Sequence, residues 1–340
     1  MTRLTQCDLY STLCSPHSLY EAWLRVERNK GGPGVDNQSI DDFKQNERRN
    51  IGDISYQLEG NEYTLSPLKG VFIPKDSHQF RKLGIPTVCD RIVFQAINAQ
   101  LQELWDPFFA PLSFAYRPGK RVADAIQCVK KFLHQGQAWY IKGDIQGCFD
   151  SLNWNLLSYI LQETLPDERL RKLLNKAIRM PVFFKGHLHE RSRGVPQGSP
   201  LSPILSNLYL HQFDMQMSDH DYSVIRYGDD WISFVADEKE ATRGFYTAAD
   251  ILSDLKIIIS PRKSGIGDLT KETISFLGYS VNANEITPSA KAWQNFNDAM
   301  GQLKNAHSKN QWNHARARLL HLKAQYAQSC SVKKGGEVQW

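Results

Sequence analysis

Apolar positions along the chain follow two spacings, and the changes between them mark the elements. Residues 90–104 (DRIVFQAINAQLQEL) and 122–133 (VADAIQCVKKFL) carry apolar side chains at helical spacing. Residues 68–75 (LKGVFIPK) read as a strand, and 138–145 (AWYIKGDI) as a buried one. Two amphipathic helices are predicted around 156–165 and 170–178, and a hairpin over 181–193. Pro203 then opens a helix, ILSNLYLHQF, at a position that tolerates proline. Residues 222–236 (YSVIRYGDDWISFVA) are two apolar strands joined by a Gly-Asp-Asp tip, a hairpin signal. The first 70 residues mix short helices with a glycine-rich stretch, Gly31-Gly32-Pro33-Gly34. That stretch lacks the lysine and spacing of a phosphate-binding loop and reads as a turn. After residue 285, Trp293, Phe296, Met300 and Leu303 form one helical stripe. Trp312, Leu319, Leu322 and Tyr326 form a second. They predict a small helical module with these side chains in its core and basic residues outside. No internal repeat is visible.

Composition narrows the class. The chain has 340 residues, 41% of them hydrophobic and 23% charged. These values fit a globular protein with a sizeable core rather than a disordered chain. No apolar run approaches ~18 residues, so no membrane-spanning helix is expected. The N-terminal sequence is polar where a signal peptide needs its apolar stretch. Six cysteines stand at 7, 14, 89, 128, 148 and 330, with no CxxC pair, so neither structural zinc nor a disulfide framework is expected. A reduced, cytoplasmic setting is the simplest. His187 and His189 (GHLHE) alternate as strand residues do and read as structural or solvated rather than metal-binding.

Charge is unevenly spread. The net charge of +5 divides into +6 over residues 286–340 and −1 before them. A basic C-terminal face fits a polyanion such as RNA or DNA, although a solvated helical surface carries the same signature.

The chemistry centres on acids at strand ends. Tyr227-Gly228-Asp229-Asp230 occupies a hairpin tip, and Asp144 ends the strand before Ile145-Gln146-Gly147-Cys148-Phe149-Asp150. Adjacent carboxylates repel unless a cation neutralises them. If the two strands are neighbours in one sheet, their acids converge and could hold two Mg²⁺ ions about 3.5–4 Å apart. Nucleotidyl transfer, nuclease and phosphatase chemistry all use such ions, and spacing alone does not separate them.

The order of motifs resembles that of reverse transcriptases, specifically the bacterial branch related to group II intron enzymes. Asn29 to Asp36 resembles the N-terminal signature, and Ile73-Pro74-Lys75 through Arg81-Lys82-Leu83-Gly84-Ile85-Pro86 the fingers motif. Asp90-Arg91-Ile92-Val93 and Phe114-Ala115-Tyr116-Arg117-Pro118-Gly119 follow, with Ala115 where glycine is usual. Asp144 to Asp150 and Tyr227 to Asp230 resemble the two catalytic motifs. Val195-Pro196-Gln197-Gly198-Ser199-Pro200-Leu201-Ser202-Pro203 resembles the substrate-pocket motif. Pro261-Arg262-Lys263-Ser264 and Phe276-Leu277-Gly278-Tyr279 resemble the closing palm motifs. Gly228 stands where alanine is common and Trp231 where phenylalanine is usual.

The resemblance implies an α+β right-hand polymerase. Fingers would occupy 1–85 and 152–197, an antiparallel palm with helices 86–151 and 198–282, and a short basic helical thumb 283–340. It implies an RNA-directed DNA polymerase that extends a 3′-hydroxyl with dNTPs. Asp144, Asp229, Asp230 and the Ile145 carbonyl would bind two Mg²⁺ ions, with Mn²⁺ as a substitute. Lys75 and Arg81 would receive the triphosphate. Phe149 would act as the steric gate against a 2′-hydroxyl, and Gln197 and Gly198 would line the nucleotide pocket. Lys263 would give a proton to pyrophosphate. Expected partners are dNTPs, an RNA template such as a structured non-coding RNA, the cDNA product, and a protein partner or second copy, with no membrane. No maturase extension, DNA-binding domain or endonuclease is recognisable, so a compact stand-alone enzyme, of retron, CRISPR-associated or anti-phage type, is expected. The alternatives are an RNA-templated RNA polymerase, in which Asp150 would bind a ribose hydroxyl, and an RNA-binding splicing or assembly factor.

Overall fold

The computed structural model describes residues 8–74, 80–306, 308–326 and 330–331. The chain forms two compact units. The first comprises Met1–Phe109, Gly147–His211 and Leu255–Ile257, and the second Ala110–Gln146, Gln212–Asp254 and Ile258–Trp340.

The first unit is mainly helical. Helices Leu9–Cys14, Pro16–Asn29 and Glu47–Glu59 bury Leu13, Leu19, Trp23 and Leu58. The Trp23 ring packs on Phe43 and its Nε1 donates to Glu47 Oε2 at 2.9 Å, so the indole is buried without stranding its donor. Helix Val88–Trp105 starts at Thr87, whose hydroxyl accepts from the Asp90 N–H. The glycine-rich stretch is an irregular connection, and the turn expected of it falls just beyond, at Val35 and Asp36, closed by the Asn37 N–H donating to the Gly34 carbonyl at 3.3 Å. Arg91 holds the stretch by donating to the carbonyls of Lys30 at 3.3 Å and Gly32 at 2.9 Å. Gly34 lies so close to Thr87 that an added Cβ would stand 2.6 Å from its Cα. A four-stranded sheet completes the unit, in the order Phe80–Ile85, Leu68–Pro74, Val182–Phe184, His187–His189. The predicted hairpin over 181–193 is its last two strands, with His187 and His189 exposed.

The second unit is built on an antiparallel sheet in the order Val224–Tyr227, Asp230–Val235, Trp139–Asp144, Gly265–Asp268. Strand alternation sorts its faces. Tyr140, Ile225, Ile232 and Phe234 join Ile126 and Val129 of helix Val122–His134 in one core. On the other face, helix Glu238–Asp254 crosses at Gly244, where a Cβ would stand 2.5 Å from Ile141 Cδ1. A second sheet, Ile274–Phe276, Tyr279–Val281, Glu285–Pro288 and Cys330–Ser331, continues the core with Phe276, Tyr279 and Ile286.

Helices Ala290–Lys304 and Lys309–Tyr326 form the predicted module, with a correction to its core. Leu319, Leu322 and Tyr326 are buried as expected, but Trp293 and Trp312 are each 43% exposed. The first helix buries Ala292 and Ala299 with Phe296 and Leu303 packed beside them, so its apolar stripe runs one residue away from Trp293. No described helix is long and apolar enough to cross a membrane.

Candidate active site

The aspartate strands are neighbours. Strand Trp139–Asp144 pairs with Asp230–Val235 so that Asp144 lies opposite Asp230. Residues directly across an antiparallel pair project to the same face, so both carboxylates leave the sheet on one side. The tip is tighter than the sequence suggests. Tyr227 pairs with Asp230, leaving only Gly228 and Asp229 in the turn and making Asp230 the first residue of its strand. Gly228 has φ +72°, which suits glycine at the first position of such a turn. The exposed Asp229 turns its carbonyl to the Ile145 N–H at 3.1 Å, which ties the tip to the end of the other strand. The two departures at 115 and 228 face each other: a Cβ on Gly228 would stand 3.8 Å from that of Ala115. Trp231 is accommodated by Gly143 opposite, since any Cβ there would stand 2.3 Å from the indole ring.

Asp144 and Asp230 line a cavity of about 580 Å³ together with Lys142, Arg262 and Lys263. Lys263 Nζ is 3.2 Å from Asp144 Oδ1 and 3.0 Å from Oδ2. Lys142, on the same strand face as Asp144, donates to the Ser275 carbonyl at 2.6 Å and lies 3.8 Å from Asp230 Oδ1. Asp230 Oδ1 is buried and makes no hydrogen bond. Burial, then the charges of Asp144 and Asp229, push the Asp230 carboxyl up to about 6, against the pull of Lys142 and Lys263. A buried carboxylate oxygen without a hydrogen bond, crowded by like charges, is the environment a hard divalent cation relieves, and the donors are the oxygens it prefers. The residues therefore fit such an ion. Among the described residues, however, no three His, Cys, Asp or Glu side chains stand as a ready ligand cluster. At Asp144 both oxygens are taken by Lys263.

A buried ion pair braces the tip from behind. The Arg226 and Asp214 side chains are 1% and 3% exposed. Arg226 donates from Nε and Nη2 to the two Asp214 oxygens, both at 2.7 Å. Its remaining donors reach Ser113 Oγ at 2.9 Å and the Gly228 carbonyl at 3.1 Å. The guanidinium thus holds the turn that carries Asp229.

The remaining candidates lie in the first unit. Phe149 and Asp150 sit on the short helix Cys148–Ser151. The Val195 N–H donates to the Phe149 carbonyl at 2.6 Å, and Gln197 Nε2 donates to Asp150 Oδ2 at 2.8 Å. The Gln197 carbonyl accepts from the Gly84 N–H at 2.8 Å. Gly198, at φ +108°, approaches Gly84 so closely that a Cβ would stand 3.1 Å from its carbonyl oxygen. Gln197 and Gly198 are therefore brought against the strand Phe80–Ile85, and Phe149 is tied to the same loop through Val195. Lys82, Asp150, Arg191 and Gln197 line a cavity of about 420 Å³ whose apolar wall includes Phe72 and Phe184. Burial raises the Asp150 carboxyl, opposed by Arg191, Gln197 and Lys82. Arg81 is exposed and by alternation projects to the other face of its strand from Lys82. Lys75 lies outside the described residues.

Sequence reasoning missed Lys142, Lys82, Arg191 and the Arg226–Asp214 brace. Lys142 carried a usable signal, because i and i−2 share a strand face and place it beside Asp144.

Comparison with known proteins bears on the whole arrangement. A family model described as reverse transcriptase (RNA-dependent DNA polymerase) matches residues 73–281. Group II intron-encoded protein LtrA of Lactococcus lactis subsp. cremoris is 30% identical over 209 residues, covering 61% of this chain and 34% of that protein. Protein YkfC of Escherichia coli (strain K12) is 32% identical over 229 residues, covering 66% of this chain and 60% of that protein. The chain thus spans about a third of the length of the first relative and about three fifths of the second. Telomerase from Candida albicans, solved with a fragment of telomeric RNA, matches with a TM-score of 0.55 at 14% identity, over 84% of this chain and 58% of that one. At that identity the likeness shows the fold, a right-hand polymerase with an antiparallel palm sheet.

Proposed function

The chain belongs to the reverse transcriptase (RNA-dependent DNA polymerase) family, and on that premise we propose that it extends a nucleic-acid 3′-hydroxyl with dNTPs on an RNA template. The observation that carries this reading is the pairing of Asp144 with Asp230, tied to Asp229 through the Ile145 N–H.

Asp144, Asp229, Asp230 and the Ile145 carbonyl would hold the divalent ions. When bound, a pair of Mg²⁺ ions, for which Mn²⁺ can substitute, supplies Lewis-acid activation of the primer hydroxyl and charge stabilisation at the leaving pyrophosphate. Lys263 holds the proton that pyrophosphate takes up on leaving. Arg81 and Lys75 receive the triphosphate, an anion that guanidinium and ammonium groups suit. Gln197, its amide oriented by Asp150, lines the nucleotide pocket with Gly198. The Phe149 ring stands against the sugar and excludes a 2′-hydroxyl.

The proposed setting is cytoplasmic, with a structured non-coding RNA as template in an anti-phage role. It rests on the motif resemblance, and sequencing the RNA and DNA recovered with the protein from its host tests it.

Primer extension on an RNA template tests the activity. Wild-type protein is expected to extend with dNTPs in preference to NTPs. Asp144→Ala and Asp229→Ala should each lower extension by about 10³-fold or more, the effect of losing several kcal/mol of charge stabilisation. Full activity in Asp229→Ala would overturn the reading. Phe149→Ala should increase NTP use, and unchanged sugar choice would remove the gate.

A further inference from the structure

Asp144 and Lys263 are unequal partners. The aspartate is fixed. Its N–H donates to Ser264 Oγ at 3.1 Å, its carbonyl accepts from the Ser260 N–H at 2.8 Å, and its strand is paired on both sides. Its side chain is only 19% exposed. The lysine side chain is 60% exposed and reaches the site from a turn. Its ammonium bonds both carboxylate oxygens, at 3.0 and 3.2 Å. A divalent cation approaching Asp144 meets a carboxylate already neutralised, and the ammonium and the cation repel each other at that range.

We propose that Lys263 is a resident counter-ion of Asp144 that a divalent cation must displace, so that metal entry frees the lysine. The proposal rests on the active-site reading above. It assigns Lys263 a second duty before its proton is needed: it neutralises Asp144 until the ion arrives. Exchange is cheap because an exposed ion pair contributes little, and only the flexible side chain has to move. Lys142 and Arg262, which line the same cavity, do not bond Asp144 in its place. One side chain therefore sets the order of events, with the metal seated first and the lysine released afterwards.

Direct binding of Mn²⁺ alone to the full chain, followed by electron paramagnetic resonance without nucleotide or nucleic acid, tests this. Lys263→Met should tighten Mn²⁺ binding about fivefold, the equivalent of removing one competing exposed ion pair. Lys263→Arg, which retains the charge, should stay near wild type, and Asp144→Asn should lose the tight site. In parallel, Mn²⁺ should increase acylation of Lys263 by an amine-reactive reagent, read by mass spectrometry. Wild-type Mn²⁺ affinity in Lys263→Met, together with a lost site in Asp144→Asn, would overturn the displacement proposal and leave the metal site standing. An Asp144→Asn protein that binds Mn²⁺ as well as wild type would instead overturn the active-site reading and this proposal with it.

Discussion

Two ion pairs serve the aspartate site, and they differ in nearly every respect. Arg226–Asp214 is sealed, doubly bonded at 2.7 Å, and spends its remaining donors on Ser113 and the Gly228 carbonyl. Lys263–Asp144 is single-headed, with one partner mostly in solvent. A guanidinium without water to fall back on is committed to its geometry, because breaking one bond strands a buried charge. An exposed ammonium loses little when it leaves, because water replaces the carboxylate. On the proposed reading, the molecule thus places a permanent pair behind the turn and an exchangeable pair at the carboxylate that would receive the ion.

Removing the permanent pair should have the largest effect. Arg226→Met strands Asp214 and is expected to destabilise the fold by about 3–5 kcal/mol, measured by urea denaturation. Loss of under ~1 kcal/mol would mean that the brace is not holding the tip. A buried carboxylate held by neutral donors gives an intermediate case. Asp90 accepts from the Tyr63 and Thr87 hydroxyls and the Ser66 N–H, and burial raises it from 3.8 to about 6. Between those values the folded protein keeps a proton that the unfolded chain has released. The contribution of Asp90 to stability is therefore fully present below about pH 4 and lost as the pH rises through 6, a fall of about 2–3 kcal/mol. Asp90→Asn should flatten that part of the pH–stability profile, and an unchanged slope would count against the assignment. The smallest effect belongs to the exchangeable pair, where Lys263→Met should change stability by less than about 1 kcal/mol. A larger loss on thermal unfolding would place Lys263 among the structural pairs.

The elements near the site were legible because their signals are local. Alternation marks Trp139–Asp144, and the Gly-Asp turn between apolar runs marks the hairpin from Val224 to Val235. What brings Lys263 to Asp144 is tertiary, across 119 positions, and no spacing rule reports it. Arg226 sits within an apolar strand and reads as a break in alternation until Asp214 is found beneath it. Trp293 misleads for a different reason. Alanines at 292 and 299 are weak markers of a buried face, and the large ring beside them draws the eye. In the first unit, the Gln197–Asp150 bond joins two motifs that sequence reading treats separately.

The pairing of Asp144 with Asp230 also limits how the gene can drift. Losing or gaining one codon between Trp139 and Gly143 would swing every later side chain of that strand through the sheet and put Ile145 or Gly143 opposite Asp230 in place of the acid. Substitutions can accumulate along both strands so long as bulk and polarity are kept. Changes in their length are closed off, so in this stretch the count of residues is guarded more strictly than most of their identities.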